Sequence, residues 1–394
     1  MGQTGPMSDG VVVVGGGFAG FWAVAAARRM AGEISVTLVA PQPRLVVRPR
    51  LYEARPETLA VELAPLLETL DVRYIADSAA GLNSSDGVVT MASGAELGFE
   101  RLIVATGSVM RRPPVPGVDE VYSIDTQADA MRFDARLAEI AQAVADPVVG
   151  VVGAGFTGIE LALELRDRLE GHGGSGDNLR VVLIDRAQEV GPELGAGPRS
   201  VIEEALREAA VEVVLGVSIE RLAADRVSLG EGEILSVDAV VLATGLEAAP
   251  FAAEIPGGRD RAGRVMVDEF LRAPGAPEVF VAGDAASADT GDGHRTLASC
   301  QHALQLGRVA GENAARDLLG LPLVAYEQLR YVTCLDLGRS GAVLTRGWDR
   351  EVVQTGTDAK QRKTLINTEV IYPPANATRA QLIAQSQLDP ATRN

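Results

Sequence analysis

Cysteine is almost missing from this 394-residue chain: Cys300 and Cys334 stand alone, with no CxxC pair. Two such residues give no disulfide framework, and a reducing cytoplasm is the expected setting. Positive charge is scarce as well. Against 53 acidic residues there are 36 basic ones, a formal net charge of −17, which argues against nucleic acid or an anionic membrane as the main partner. A long unbroken apolar run is also lacking. The stretch from Val11 to Ala27 follows no basic residue and is interrupted by Gly15, Gly16, Gly17 and Gly20, so it reads neither as an export signal nor as an integral membrane segment. Gly2 would suit a myristoyl group, but Pro6 stands where that motif needs Ser or Thr. Residues 1–9 read as a disordered leader. What the chain does have is 47% apolar content, enough for two or three domains with cores of their own.

The stretch around which the rest is organised runs from Val148 to Leu165. Val148, Val149, Val151 and Val152 form a β-branched run, Gly153, Gly155 and Gly158 follow as GxGxxG, and a helix begins at about Phe156 and Thr157. Strand, tight turn and helix in that order let the backbone close on a pyrophosphate while helix N–H groups hold its charge. Asp185 ends the next strand, where a carboxylate can accept both hydroxyls of an adenosine ribose. The glycine-rich insertion 171–178 accounts for the long interval before it. An acid there favours NADH, and Arg186 beside it leaves tolerance for NADPH.

An earlier counterpart exists. Val11 to Val14 lead into Gly15, Gly17, Phe18, Ala19 and Gly20, with a small-residue helix over Phe21 to Met30. The strand after it ends at Ala40, so the ribose-binding acid is missing there. Arg44, Arg48 and Arg50 follow; they can reach a pyrophosphate or an adenine face, or lie in a solvated loop. Two further apolar strands end in matching turns, Ala105, Thr106, Gly107 and Ala243, Thr244, Gly245, which points to duplication. A last strand ends in Gly283 and Asp284, a carboxylate at a carboxyl edge, and Ser299 to Leu319 reads as a helix.

As an ordered set over residues 10–345, these motifs resemble the flavoproteins with two dinucleotide-binding domains, and within them the type II NADH:quinone dehydrogenases and their apoptosis-inducing-factor-like relatives. The resemblance implies an α/β fold: two Rossmann-like domains, for FAD over 10–115 and 250–325 and for NAD(P)H over 116–249. Residues 326–394 read as a small α+β cap of short strands around Gly338 and Gly341, then a helix with Lys360, Arg362 and Lys363. In relatives the cap is often a dimer surface, so a homodimer is an option. By the same resemblance the first fingerprint holds the FAD diphosphate and Asp284 the ribityl or phosphate side. The second fingerprint and Asp185 hold NADH, Glu160 lies close to nicotinamide and flavin, and Gln301 lies beside the flavin where quinone enters.

Read from the residues alone, Glu160 and Glu164 share a helical face, and Glu164 can pair with Arg168 at i+4 as a solvated salt bridge. Glu160 has no such partner, and either a ligand or the helix dipole can account for it. His302, one of three histidines, is a proton relay or a packed, hydrogen-bonded ring. Cys300, with no second thiol nearby, reads as a small buried residue, and Trp348 as core. The resemblance breaks at Ala40, at Cys300 in place of alanine beside Gln301, and at the polar end RAQLIAQSQLDPATRN, which lacks an amphipathic anchor. The expected activity is hydride transfer from NADH to FAD, then two electrons to a soluble quinone or other small acceptor. A biosynthetic flavoenzyme and a slow-turnover NADH sensor are the alternatives.

Overall fold

The computed structural model describes residues 8–388, except residue 31. Ser8 and Asp9 already belong to the first strand, Ser8–Val14, so pairing starts inside the expected leader; the remainder of that leader lies outside the described residues. The helices are α1 (Phe18–Met30), α2 (Ala64–Leu70), α3 (Gln127–Ala143), α4 (Phe156–Gly171), α5 (Arg199–Glu208), α6 (Cys300–Leu318), α7 (Gly356–Leu365) and α8 (Arg379–Gln385).

Valine runs pair in parallel where both sheet faces are covered. In the first sheet Ser8–Val14 lies between Val36–Ala40 and Glu96–Val104, with Val14 opposite both Val39 and Val104. Beyond Glu96–Val104 comes Ala276–Val281, a strand from late in the chain, and beyond Val36–Ala40 comes Arg73–Ala76. The second sheet is continuous in sequence. It runs Tyr122–Ser123, Ala239–Leu242, Val148–Val152, Arg180–Ile184, Val211–Val214, all parallel. Each glycine fingerprint thus leaves a central strand flanked by its Ala-Thr-Gly strand, at the carboxyl edge where open α/β sheets take ligands.

Helix α1 begins at Phe18, earlier than the expected Phe21, and is buried along most of its length. It packs on α6 so closely that a Cβ on Gly307 or Gly311 would collide with the backbone of Ala19 or Ala23. Ser108–Met110 and Leu246–Ala248 pair antiparallel where the chain crosses between the sheets.

The C-terminal unit is a three-stranded antiparallel sheet, Val332–Asp336, Ala342–Arg346 and Glu351–Thr355, covered by α7. Its Arg339 bridges Asp167 and Glu170 of α4, and Ser340 bonds Glu208 of α5. Trp348 is not core. It is half-buried in a turn, its Nε1–H donates to Asp292 at 3.1 Å, and it stacks between His294 and Tyr331 at 4.5 and 4.7 Å. Among the described residues no helix is long and apolar enough to cross a membrane.

Candidate functional site

The two glycine turns are built alike. Gly15 and Gly153 have φ of +111° and +112°, a region open to glycine, and a Cβ on either would collide with the carbonyl oxygen of Ala105 or Ala243. Gly20 and Gly158 press in the same way on the carbonyls of Gly15 and Gly153. The small residues of the Ala-Thr-Gly turns are therefore the walls against which the fingerprints close. Those turns are also tied to the crossing strands: Ala249 N–H donates to Gly107 O at 3.0 Å, Arg111 N–H to Gly245 O at 2.9 Å, and the Thr244 hydroxyl to Arg111 O. Thr106 carries a buried hydroxyl with no partner among the described residues.

At the second cradle Asp185 Oδ2 accepts the Ala154 N–H at 2.6 Å and Oδ1 that of Ala187 at 2.8 Å, which fixes the carboxylate over the turn. Thr157 is exposed and Phe156 half-buried at the mouth. Glu193, from a loop after that strand, accepts the Phe156 N–H at 2.9 Å. At the first cradle the place of the acid is Ala40, whose carbonyl accepts from Tyr74 at 2.8 Å. Gly283, at φ +68°, sets Asp284 against the first turn of α1, where a Cβ would meet Ala19 at 2.9 Å. Ser108 donates to Asp284 at 2.7 Å and receives Arg48 Nη1 at 2.8 Å on its hydroxyl. Arg48 also pairs with Asp125. Arg50 instead holds Glu53 at 2.7 Å, and Arg44 holds Glu62.

Glu160 is only 3% exposed, yet it does not stand alone. Its Oε1 accepts Lys363 Nζ at 2.8 Å and the Asp336 N–H at 2.9 Å, and Lys363 also bonds Cys334 O at 2.8 Å. The ammonium lies 5.3 Å from the Phe156 ring centre and 5.9 Å from that of Tyr52. Lys360 pairs with Asp336, which also accepts from Tyr52. Burial pushes the Glu160 carboxyl up to about 7 against the pull of Lys363. It works against the Lys363 ammonium too, but Glu160 more than offsets it and holds that group above its ordinary value. Lys363 had no role in the sequence reading. One signal was there: Lys360 and Lys363 are the two lysines among 36 basic residues, three apart on one helix.

The expected Glu164–Arg168 bridge does not form. Arg168 is buried and turned toward α3, donating to Asp134 at 2.7 Å and to Tyr52 O at 3.2 Å. Burial pushes the Glu164 carboxyl up to about 7, with Lys360 opposing.

Gln301 spans into the C-terminal unit, its Nε2 donating to Arg330 O at 3.2 Å and its Oε1 accepting from Val332 at 3.4 Å. His302 is 1% exposed and lies flat on Tyr331 at 4.9 Å. Its Nδ1 faces Leu297 and Ser299 at 3.1 Å, while Nε2 has no partner among the described residues. Burial holds the ring down to about 4, so it is neutral at pH 7. Cys300 is half-buried, its thiol pushed up to about 11 by burial, and both cysteines are unpaired.

The first cradle fits a flavin dinucleotide: a Cβ at Gly17 would meet nothing within 4 Å, leaving the turn open to a diphosphate. The second, with Asp185 held over its turn, fits a pyridine nucleotide. A nucleotide cradle repeated on two linked sheets, with a buried acid–lysine pair joining one of them to a third unit, defines a dinucleotide-dependent oxidoreductase. Comparison with known proteins agrees. The chain belongs to the pyridine nucleotide-disulphide oxidoreductase family, whose profile matches residues 9–307, and is an NADH dehydrogenase-like, FAD- and NAD(P)H-binding enzyme. It is 41% identical over 387 residues to an NADH dehydrogenase-like protein of Mycobacterium tuberculosis, covering 95% of this chain and 97% of that one. A demethylphylloquinone reductase of Synechocystis is 26% identical, covering 85% of this chain and 86% of the relative. Among solved structures, NDH2 of Plasmodium falciparum in complex with NADH superposes with a TM-score of 0.78 at 13% identity, over 96% and 97% of the two chains. At that identity the likeness speaks for the fold.

Proposed function

We propose that the chain oxidises NADH at the second cradle and delivers two electrons, by way of FAD at the first, to a quinone-like small acceptor. The observation that carries this reading is the doubled cradle with Asp185 fixed over the second turn. FAD, when bound, supplies the two-electron relay between nicotinamide and acceptor. The chain's own residues do the rest. The N–H groups opening α1 and α4 hold the two diphosphates, and Asp185 accepts the adenosine ribose hydroxyls. Asp284, oriented by Ser108, takes the ribityl or phosphate side of the flavin. A quinone needs two protons as well as two electrons. Glu160, with its carboxyl near 7 and Oε1 taken up by Lys363 and the Asp336 N–H, can hold one of them at its other oxygen, Oε2. Quinone as the acceptor is supported by the demethylphylloquinone reductase relative.

Stopped-flow absorbance of the flavin tests the reading. Mixing with NADH should bleach the flavin quickly, NADPH should do so more slowly, and a soluble quinone should restore the colour. Asp185→Ala should raise the NADH concentration needed while the flavin stays bound. Flavin-free protein, or slow reoxidation by every quinone tried, would overturn the proposal.

A further inference from the structure

The two cradles differ at the second glycine of the turn as well as at the acid. At Gly17 of the first, an added Cβ would meet nothing within 4 Å; at the matching Gly155 of the second it would lie 2.5 Å from Oε1 of Glu193. The same oxygen accepts the Phe156 N–H at 2.9 Å, in the first turn of α4. A carboxylate therefore sits where helix N–H groups and the helix dipole favour an anion.

The loop that carries it is pinned at both ends. Gly191 N–H donates to Ala154 O, inside the glycine turn itself, at 2.8 Å. Leu194 is buried in the core that also contains Ile159 of α4. Farther on, a Cβ on Gly197 would collide with the carbonyl oxygen of Arg350 in the C-terminal unit. With the backbone held, rotation of the exposed Glu193 side chain is the simple way to clear the turn.

We infer that Glu193 is a built-in competitor of the pyridine nucleotide: its carboxylate and the nucleotide's diphosphate contend for the same N–H at the start of α4. The inference rests on the second cradle being the NAD(P)H site. Its consequence is an affinity set below what the cradle alone would give. That suits a nucleotide that must leave after each turnover, whereas the open cradle at Gly17 suits a cofactor that stays.

Calorimetric titration of the flavin-loaded, oxidised protein tests this. ADP-ribose carries the diphosphate without the reactive ring, and adenosine lacks the diphosphate. Glu193→Gln and Glu193→Ala should each bind ADP-ribose about two- to five-fold more tightly, the range an exposed charge at a helix N-terminus commands, with adenosine unchanged. Unchanged or weaker ADP-ribose binding by both variants would overturn the inference. So would equal tightening of adenosine, since the effect would then lie away from the diphosphate. Asp185→Ala separates the two layers. If it weakens ADP-ribose while the Glu193 variants do nothing, the cradle assignment stands and the competitor falls. If it too has no effect, the assignment falls with it.

Discussion

The ring of His302, enclosed against Tyr331, is held down to about 4 by burial, while a histidine in an unfolded chain titrates at about 6.5. Between those values the unfolded chain takes up a proton that the folded one refuses, so stability is lost as pH falls through that window. The loss from this one ring should be about 2 kcal/mol at pH 5. Thermal unfolding of His302→Gln followed from pH 7 to pH 5 should show a flatter decline than the parent, and parallel declines would refute the assignment. Residues were legible in the sequence when their role is local. The place of Asp185 over the turn is readable because it directly follows the strand after a glycine fingerprint. Lys363 is not, because it meets Glu160 across 203 positions of chain and no spacing announces that. The spacing that was visible, Glu164 to Arg168, misled, since the half-buried Asp134 on a neighbouring helix offers the buried Arg168 a partner. Glu193 sits in a Gly-Pro-Glu-Leu turn that reads as ordinary surface.

At the scale of elements, the turns are the parts with least tolerance. Gly15→Ala places a Cβ against the Ala105 carbonyl at φ +111°, so it should cost about 3 kcal/mol and strip the flavin. Gly17→Ala meets open space and should keep the parent unfolding temperature while weakening flavin retention. Flavin absorbance per protein and thermal unfolding check both, and a Gly15→Ala protein with parental values for each would contradict the collision. The same intolerance made these elements legible: a valine run that ends in obligatory glycines has few other readings. The cap strands were also readable, from alternation around Gly338 and Gly341, which both take positive φ. By contrast, the start of α1 was misplaced by a turn, because glycines and alanine at a helix entrance carry little boundary signal.

Across the whole molecule, the Glu160–Lys363 pair joins the second nucleotide fold to the C-terminal unit. Lys363→Met would leave a buried carboxyl without its cation, and denaturant unfolding should show a loss of about 3–5 kcal/mol where that carboxyl is ionised, shrinking as pH falls and it takes up a proton. Adding Glu160→Gln should return part of that loss, because the unpaired charge is then gone; strictly additive losses would mean that the two groups are not coupled. Synthesis runs against this architecture. The five-stranded sheet is complete once Leu242 has been made, from one continuous stretch. The first sheet must wait for Ala276–Val281, and α1 for the α6 surface against which Ala19 and Ala23 are seated. Until those segments leave the ribosome, the small-residue side of α1 that α6 will cover stays open although its other side can already rest on the early strands, which is the kind of surface that chaperones shield. Of the two nucleotide folds, the one begun first is thus the last that can close.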